Sequence, residues 1–301
     1  DQTKGSHMNN VLARFGVAGH VSVEQIYKSV WSVGGKYILK RNSNAAQLDK
    51  SVEISEYLIS KGIPVAKYIR AADGGFYIKH QDFYYCLMTR IPGAHIDPFV
   101  GDCFQNGKTL GGVVAGLHLA LSRFKPEFEC YDADLIRELA SWIMPELEAK
   151  HIAFHDGVLE LCRAFEPLYR SLPRQLIHRD MHTGNLLFEN GRFAGYLDFD
   201  ISQRNIRVFD ICYLGSSLLV ENYRDEERLC LWKKIFSGIW RGYDEVSPLN
   251  DDEKRAVPAL YVLNEVIFTA FFSKTGQPEL CASCVDMTNW TFHNRALLSD
   301  F

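Results

Sequence analysis

Residues 176 to 188, LIHRDMHTGNLLF, set His178, Arg179, Asp180, His182 and Asn185 between two apolar runs. An aspartate followed five positions later by an asparagine, in the order His-Arg-Asp-x-x-x-x-Asn, is a spacing in which the carboxylate takes the proton of an attacking hydroxyl and the carboxamide ligates a magnesium ion. A second carboxylate follows in GYLDFD, where Asp198 ends an apolar strand that would aim it at the same ion. Upstream, Lys40 closes the run YILK, the place of a lysine that contacts phosphates and pairs with a glutamate on the next helix. Glu53 and Glu56 both lie on that helix; Glu53, about midway along it, is preferred as the partner. Each residue alone has a plainer use: Asp180 as a turn cap, Asp198 as an arginine partner, Lys40 as an exposed strand end. Together and in this order they form a set suited to phosphoryl transfer. His118 and His178 read as packing groups.

The elements that must position this set fall into two parts. In the first, EQIYKSVW and KYILKR are β-rich runs parted by the turn signal SVGG, and GGFYIKH and FYYCLMTRI repeat the pattern around His80, Gln81 and Asp82. Between the pairs, a helix from about Ala45 to Lys61 carries Ile54, Leu58 and Ile59 on its apolar face and stops at KGIPV. After Pro92-Gly93 the pattern turns helical. NGKTLGGVVAGLHLALSRF and YDADLIRELASWIMPELEAKH repeat apolar residues every three or four positions, the latter capped by Asp132 or Asp134. ENGR, between two apolar runs, predicts a hairpin turn inside this helical part.

Composition bounds the function. With 47% hydrophobic and 13% aromatic residues in 301, the chain can bury a sizeable core. DQTKGSHM reads as a cloning remnant, residues 1–8, with the fold beginning near Met8. No run of apolar residues is long enough and uninterrupted enough for a membrane helix, so no membrane partner is expected. The eight cysteines are scattered through apolar segments, which favours the cytoplasm, and Cys281-x-x-Cys284 lacks the second ligand pair that zinc needs. Net charge is +5 over residues 1–90 and −9 over residues 91–301. The basic residues do not cluster, so nucleic acid is not an expected partner.

Lys40, the helical glutamate, MTRIPG, LHLAL, HRDMHTGN and LDFD followed by RVFDIC resemble the aminoglycoside phosphotransferase and choline kinase family, over nearly the whole chain from about residue 10. The resemblance implies an α+β, two-lobed protein-kinase-like fold: an antiparallel N-lobe with one helix over residues 9–90, and a larger helical C-lobe over 91–301 holding the catalytic loop, metal site and acceptor site. It implies ATP and Mg2+ as cofactors and phosphoryl transfer to a hydroxyl. Carried over by position, Asp180 is the base, Asn185 and Asp198 the metal ligands, Lys40 the phosphate contact, Thr89 to Ile91 the hinge that meets adenine through backbone groups, and Asp210 a structural residue. The chain departs from the family at Arg179, where glycine is common, and in FGVAGHVSVEQIYK, which is not a glycine-rich phosphate loop and leaves that cover to a turn near Gly19.

Only eleven residues separate Asp198 from Asp210, too few for a peptide-docking segment, and His182 replaces the lysine usual in protein kinases. The leading expectation is therefore an ATP-dependent kinase of a small hydroxyl compound: an amino sugar, amino alcohol or hydroxy amino acid. The alternatives are a kinase of polypeptides and a non-catalytic nucleotide-binding protein. The acceptor is expected around residues 235–295, with Asp244, Glu245 and above all Glu265 available to a cationic one.

Overall fold

The computed structural model describes residues 2–17, 19 and 21–299, and the chain divides into two compact units. The first comprises residues 1–96, 124–129 and 183–202; the second comprises 97–123, 130–182 and 203–301. The boundary expected at residue 90 thus moves to 96, and Asn185 and Asp198 group with the first unit rather than the helical part. Backbone pairing explains the shift. Ala94 and Phe188 exchange two hydrogen bonds, and Tyr196 N–H donates to Pro64 O.

In the first unit, strands β1 (Val23–Tyr27), β2 (Val30–Val33), β3 (Tyr37–Asn42), β4 (Tyr77–His80) and β5 (Phe83–Thr89) form one antiparallel sheet in the order β1-β2-β3-β5-β4. The run EQIYKSVW, expected as one strand, turns at Lys28–Ser29 into two. This first hairpin contains no glycine; Gly19 lies before it, between the first helix and β1. Helix α1 (Gln2–Ala13) extends back through the presumed remnant. Alternation along β5 sorts the core, since successive side chains of a strand point to opposite faces. Tyr85 and Leu87 join Val11, Leu12, Phe15 and Leu39 on one face, while Cys86 joins Leu48, Val52 and Tyr68 on the other. Lys40 stands opposite Cys86 and therefore faces helix α2 (Ala45–Ser60), whose Asn44 side chain accepts the first orphan amide, from Ala46. Ile54 and Leu58 are buried as expected, but Ile59 is 40% exposed and belongs to the outer face. The hairpin at Asn190-Gly191 joins β7 (Leu186–Glu189) to β8 (Arg192–Tyr196).

The second unit is helical around one two-stranded ribbon, β6 (Arg174–Ile177) with β9 (Gln203–Ile206). Helix α3 (Cys103–Leu121), capped by Asp102, packs against α9 (Glu226–Val246) with backbones nearly touching. A Cβ on Gly111 would stand 1.9 Å from Ile239 O, and one on Gly242 would stand 1.9 Å from Lys108 O; Gly107 and Gly238 are equally tight. Asp134, not Asp132, caps the next segment, which runs α4 (Leu135–Glu138), a π-helical turn and α5 (Met144–Ala149). The short α6 (Val158–Ala164) and α7 (Glu166–Ser171) lead to β6. Beyond β9 lie α8 (Val208–Leu219), then α9, α10 (Asp251–Lys274) and α11 (Pro278–His293). By length and composition α10 could cross a membrane, but 72% of its apolar window is buried against the protein itself.

Candidate active site

Lys40 reaches the two carboxylates that follow β8. Its Nζ lies 2.9 Å from Asp198 Oδ1 and 2.7 Å from Asp200 Oδ2. Burial works against the ammonium, yet Asp200 and Asp198 outweigh it and raise the Lys40 pKa above its ordinary value. Asp200 is the better anchored of the two acids. Asn42 Nδ2 donates to its Oδ2 at 2.8 Å and Ser51 Oγ to its Oδ1 at 2.8 Å. Asp198, more open to solvent, holds a left-handed backbone with φ 59°. Short polar residues tolerate that conformation best after glycine. Asn185 ends a 3-10 turn (Thr183–Asn185), and its carbonyl accepts from Leu197 N–H at 2.9 Å, which ties it to the residue before Asp198.

The expected helical glutamate is elsewhere. Glu53 accepts a hydrogen bond from Glu127 N–H at 2.6 Å and does not pair with Lys40. Glu56 lines a groove on the outer face of α2 with Lys67, Arg70 and Phe76, so the alternative fails as well. The partner is Asp200, which sequence reasoning missed. Strand alternation does not reveal it, since β8 ends at Tyr196 and Asp198 turns the chain through a left-handed conformation.

In the stretch Thr89 to Ile91, two backbone amides are already committed. Thr89 N–H donates to Lys67 O, and Arg90 N–H donates to Lys36 O. Thr89 Oγ1 further accepts from Lys67 N–H. Among the described residues, the backbone amide of Ile91 has no such partner.

Within the second unit, the loop that carries Asp180 hangs from a buried carboxylate. Asp210, fully buried at the start of α8, accepts from His178 N–H at 2.8 Å and from Arg179 N–H at 2.9 Å, and its Oδ2 lies 3.0 Å from His118 Nε2. His118 Nδ1 reaches Tyr243 Oη at 2.8 Å, so this histidine is a satisfied packing group. Arg179 takes φ 76°. A residue without a side chain suits that conformation, which accounts for the glycine common here in the similar kinases. Asp180 Oδ1 accepts from Tyr213 Oη at 2.9 Å, and His182 Nε2 lies 3.7 Å from Oδ2. Burial pushes the Asp180 carboxyl up, but His182, Tyr213 and His178 together bring it down to about 2. Tyr213, held between Phe209 and Phe268, was not foreseen, although it lies one turn after Asp210 on the same helix face.

The acids expected to receive a cationic acceptor are otherwise engaged. Glu265 is buried in α10, bonded by Ser216 Oγ at 2.5 Å, and burial pushes its carboxyl up to about 7. Asp244 accepts from Leu249 N–H, and Glu245 pairs with Lys108 and Arg241. Cys281 and Cys284 are buried thiols, and no cluster of three metal-ligating side chains occurs among the described residues.

Comparison with known proteins agrees with this architecture. The sequence profile of the phosphotransferase enzyme family matches residues 18–249. A homoserine kinase of Hyphomonas neptunium is 29% identical over 270 residues, covering 85% of this chain and 79% of that protein. One from Gluconobacter oxydans is 28% identical over 241 residues, covering 75% and 71%. Among solved structures, a microcompartment-associated aminopropanol kinase superposes with a TM-score of 0.70 at 18% identity, covering 97% of this chain and 99% of the other. An amicoumacin kinase in complex with AMP-PNP and Ca2+ gives 0.68 at 17%, with the same coverage. The fold is thus the α+β, protein-kinase-like one. Matched along most of its length, the chain belongs to the phosphotransferase enzyme family and is a small-molecule kinase, an enzyme that moves a phosphoryl group onto the hydroxyl of a small compound.

Proposed function

We propose that the chain phosphorylates its acceptor from ATP with Mg2+, using Asp180 as the base, Asn185 and Asp198 as metal ligands, Lys40 as the phosphate contact and the Ile91 amide as the adenine contact. The observation that carries this reading is the meeting of Lys40 with Asp198 and Asp200, which gathers a cation for phosphate and carboxylates for a metal at one place. The donor set fits the ion: Asp198 and Asn185 offer hard oxygen atoms, and magnesium is commonly held by one or two such side chains plus substrate phosphates. Bound there, Mg2+ would offset the charge of the phosphate oxygens. Lys40 supplies a fixed positive charge to the same oxygens, held in place by Asp200. Asp180, ionised at any working pH because its carboxyl sits at about 2, orients the acceptor hydroxyl. The hydroxyl oxygen bonds to the γ-phosphorus, the bond to the β,γ-bridging oxygen breaks, ADP leaves, and the hydroxyl proton passes to Asp180.

The test is ADP release over a panel of hydroxy amino acids, amino alcohols, amino sugars and sugars, with a casein-type peptide as control. Asp180→Asn should bind Mg·ATP as the wild type does while losing about 10²–10⁴-fold in turnover, the usual cost of removing a general base. Wild-type turnover in that variant would refute the base, and phosphorylation of the peptide alone would refute a small acceptor.

A further inference from the structure

Arg179 combines three properties that its neighbours do not share. It occupies a left-handed backbone position, φ 76°, which strains an L side chain and not glycine. It directly precedes Asp180. Its guanidinium stacks on Phe209, 4.2 Å from the ring centroid, yet forms no hydrogen bond or ion pair among the described residues. Other cations of this unit without partners, such as Arg123 and Arg163, stand exposed in water, whereas Arg179 is partly buried.

The acids around it do not satisfy it. Glu138, Asp210 and Asp180 are near enough to be felt, and with Tyr213 they offset part of the burial that pushes the guanidinium down from its ordinary value. Each has other work. Asp210 is consumed by two backbone amides and His118, Asp180 accepts from Tyr213, and Glu138 accepts from Tyr131 Oη at 3.1 Å. A guanidinium presents a planar fork of N–H donors that matches a carboxylate in two parallel bonds. Here that fork lies within electrostatic reach of Asp180 and bonds to no protein group among the described residues. The acids once expected to receive a cationic acceptor are the ones already paired. The charge left available next to Asp180 is positive.

We propose that Arg179 is a specificity-determining residue that pairs with a carboxylate of the acceptor, so that the acceptor is a small hydroxy acid, hydroxy amino acids included. This rests on the reading of Asp180 as the base. The acceptor then binds with its hydroxyl at Asp180 and its carboxylate at Arg179, while Phe209 braces the guanidinium from the far side of the fork.

Matched pairs that differ only in the carboxylate test it: homoserine against 3-aminopropan-1-ol, and serine against ethanolamine. Wild-type kcat/KM should favour the hydroxy acid by about 10- to 100-fold, the range of a charge-assisted pair. In Arg179→Gly, which relaxes the backbone and should fold, that ratio should fall towards one through a higher KM for the hydroxy acid, with the KM for ATP unmoved. Arg179→Lys should keep an intermediate ratio. Preference for the amino alcohol in the wild type, or an unchanged ratio in Arg179→Gly, overturns the proposal. So does stimulation of amino-alcohol turnover by added acetate or phosphate up to the hydroxy-acid rate, because the site then takes a free anion. Asp180→Asn separates the two readings: it should depress both members of each pair alike, and if it does not, the base assignment fails while the Arg179 ratio still decides the carboxylate. Should no panel member turn over, calorimetry with the hydroxy acids decides by itself, and equal affinity or no binding in wild type and Arg179→Gly overturns the proposal.

Discussion

Tyr213 shows how a residue can matter without reacting. Its hydroxyl donates to Asp180 Oδ1, while His182 approaches Oδ2 at 3.7 Å. Tyr213→Phe should keep the stacking on Phe209 and Phe268 but lose that bond, lowering kcat by on the order of 10-fold, the worth of one hydrogen bond to a charged group. Mg·ATP affinity measured by calorimetry should hold; an unchanged kcat would show that the bond does not orient Asp180 for turnover. At Asp198 the expected pattern differs. Asp198→Asn keeps a side chain suited to φ 59° but removes the anion, so Mg·ATP affinity and turnover should fall together. That Lys40 and Asp198 meet fits the spacing of the sequence motif from which both were singled out. Asp200 and Tyr213 were hidden. Nothing in a linear motif says which acid a lysine will meet, or which helix passes behind a loop.

Helix phase decides the fate of Glu53. On α2, Ser51 Oγ bonds Asp200, and two residues on, at about 100° per residue, the chain has turned some 200° away. Glu53 therefore faces the 124–129 segment and not Lys40. Its midway position on the helix was readable, but its phase relative to β3 depended on packing. The same holds for α3 and α9. Their apolar periodicity was evident, while Gly107 and Gly111 against Gly238 and Gly242 is a meeting of distant segments. A methyl at Gly111 has no room beside Ile239 O, so Gly111→Ala should destabilise the protein by about 1–3 kcal/mol despite the better helix propensity of alanine. Urea unfolding measures this. Gly116→Ala on the same helix, with nothing within 4 Å, should be neutral or stabilising.

Across the whole molecule, Glu265 links stability to pH. Its folded pKa of about 7 stands above its ordinary 4.5, so the folded chain holds the proton longer than the unfolded one. The stability this confers is complete below about 4.5 and is lost as pH climbs through about 7. Glu265→Gln keeps a partner for Ser216 and no longer ionises. It should gain on the wild type by on the order of 3 kcal/mol between pH 4 and pH 8, read from urea midpoints at each pH. A constant difference would mean that Glu265 ionises freely in the folded state. The division of the chain was legible as a sheet-rich beginning and a helical remainder, since periodicity changes at Pro92-Gly93. What it concealed was the return of residues 124–129 and 183–202 to the first unit. That threading limits modular exchange. A shuffled or truncated gene that keeps only residues 1–96 would encode a sheet without the β7–β8 hairpin, and Lys40 without either of its acids. Swapping first units between relatives at a single splice point should therefore yield unfolded chimeras, whereas grafts that carry 124–129 and 183–202 along with 1–96 have the pieces the unit is built from.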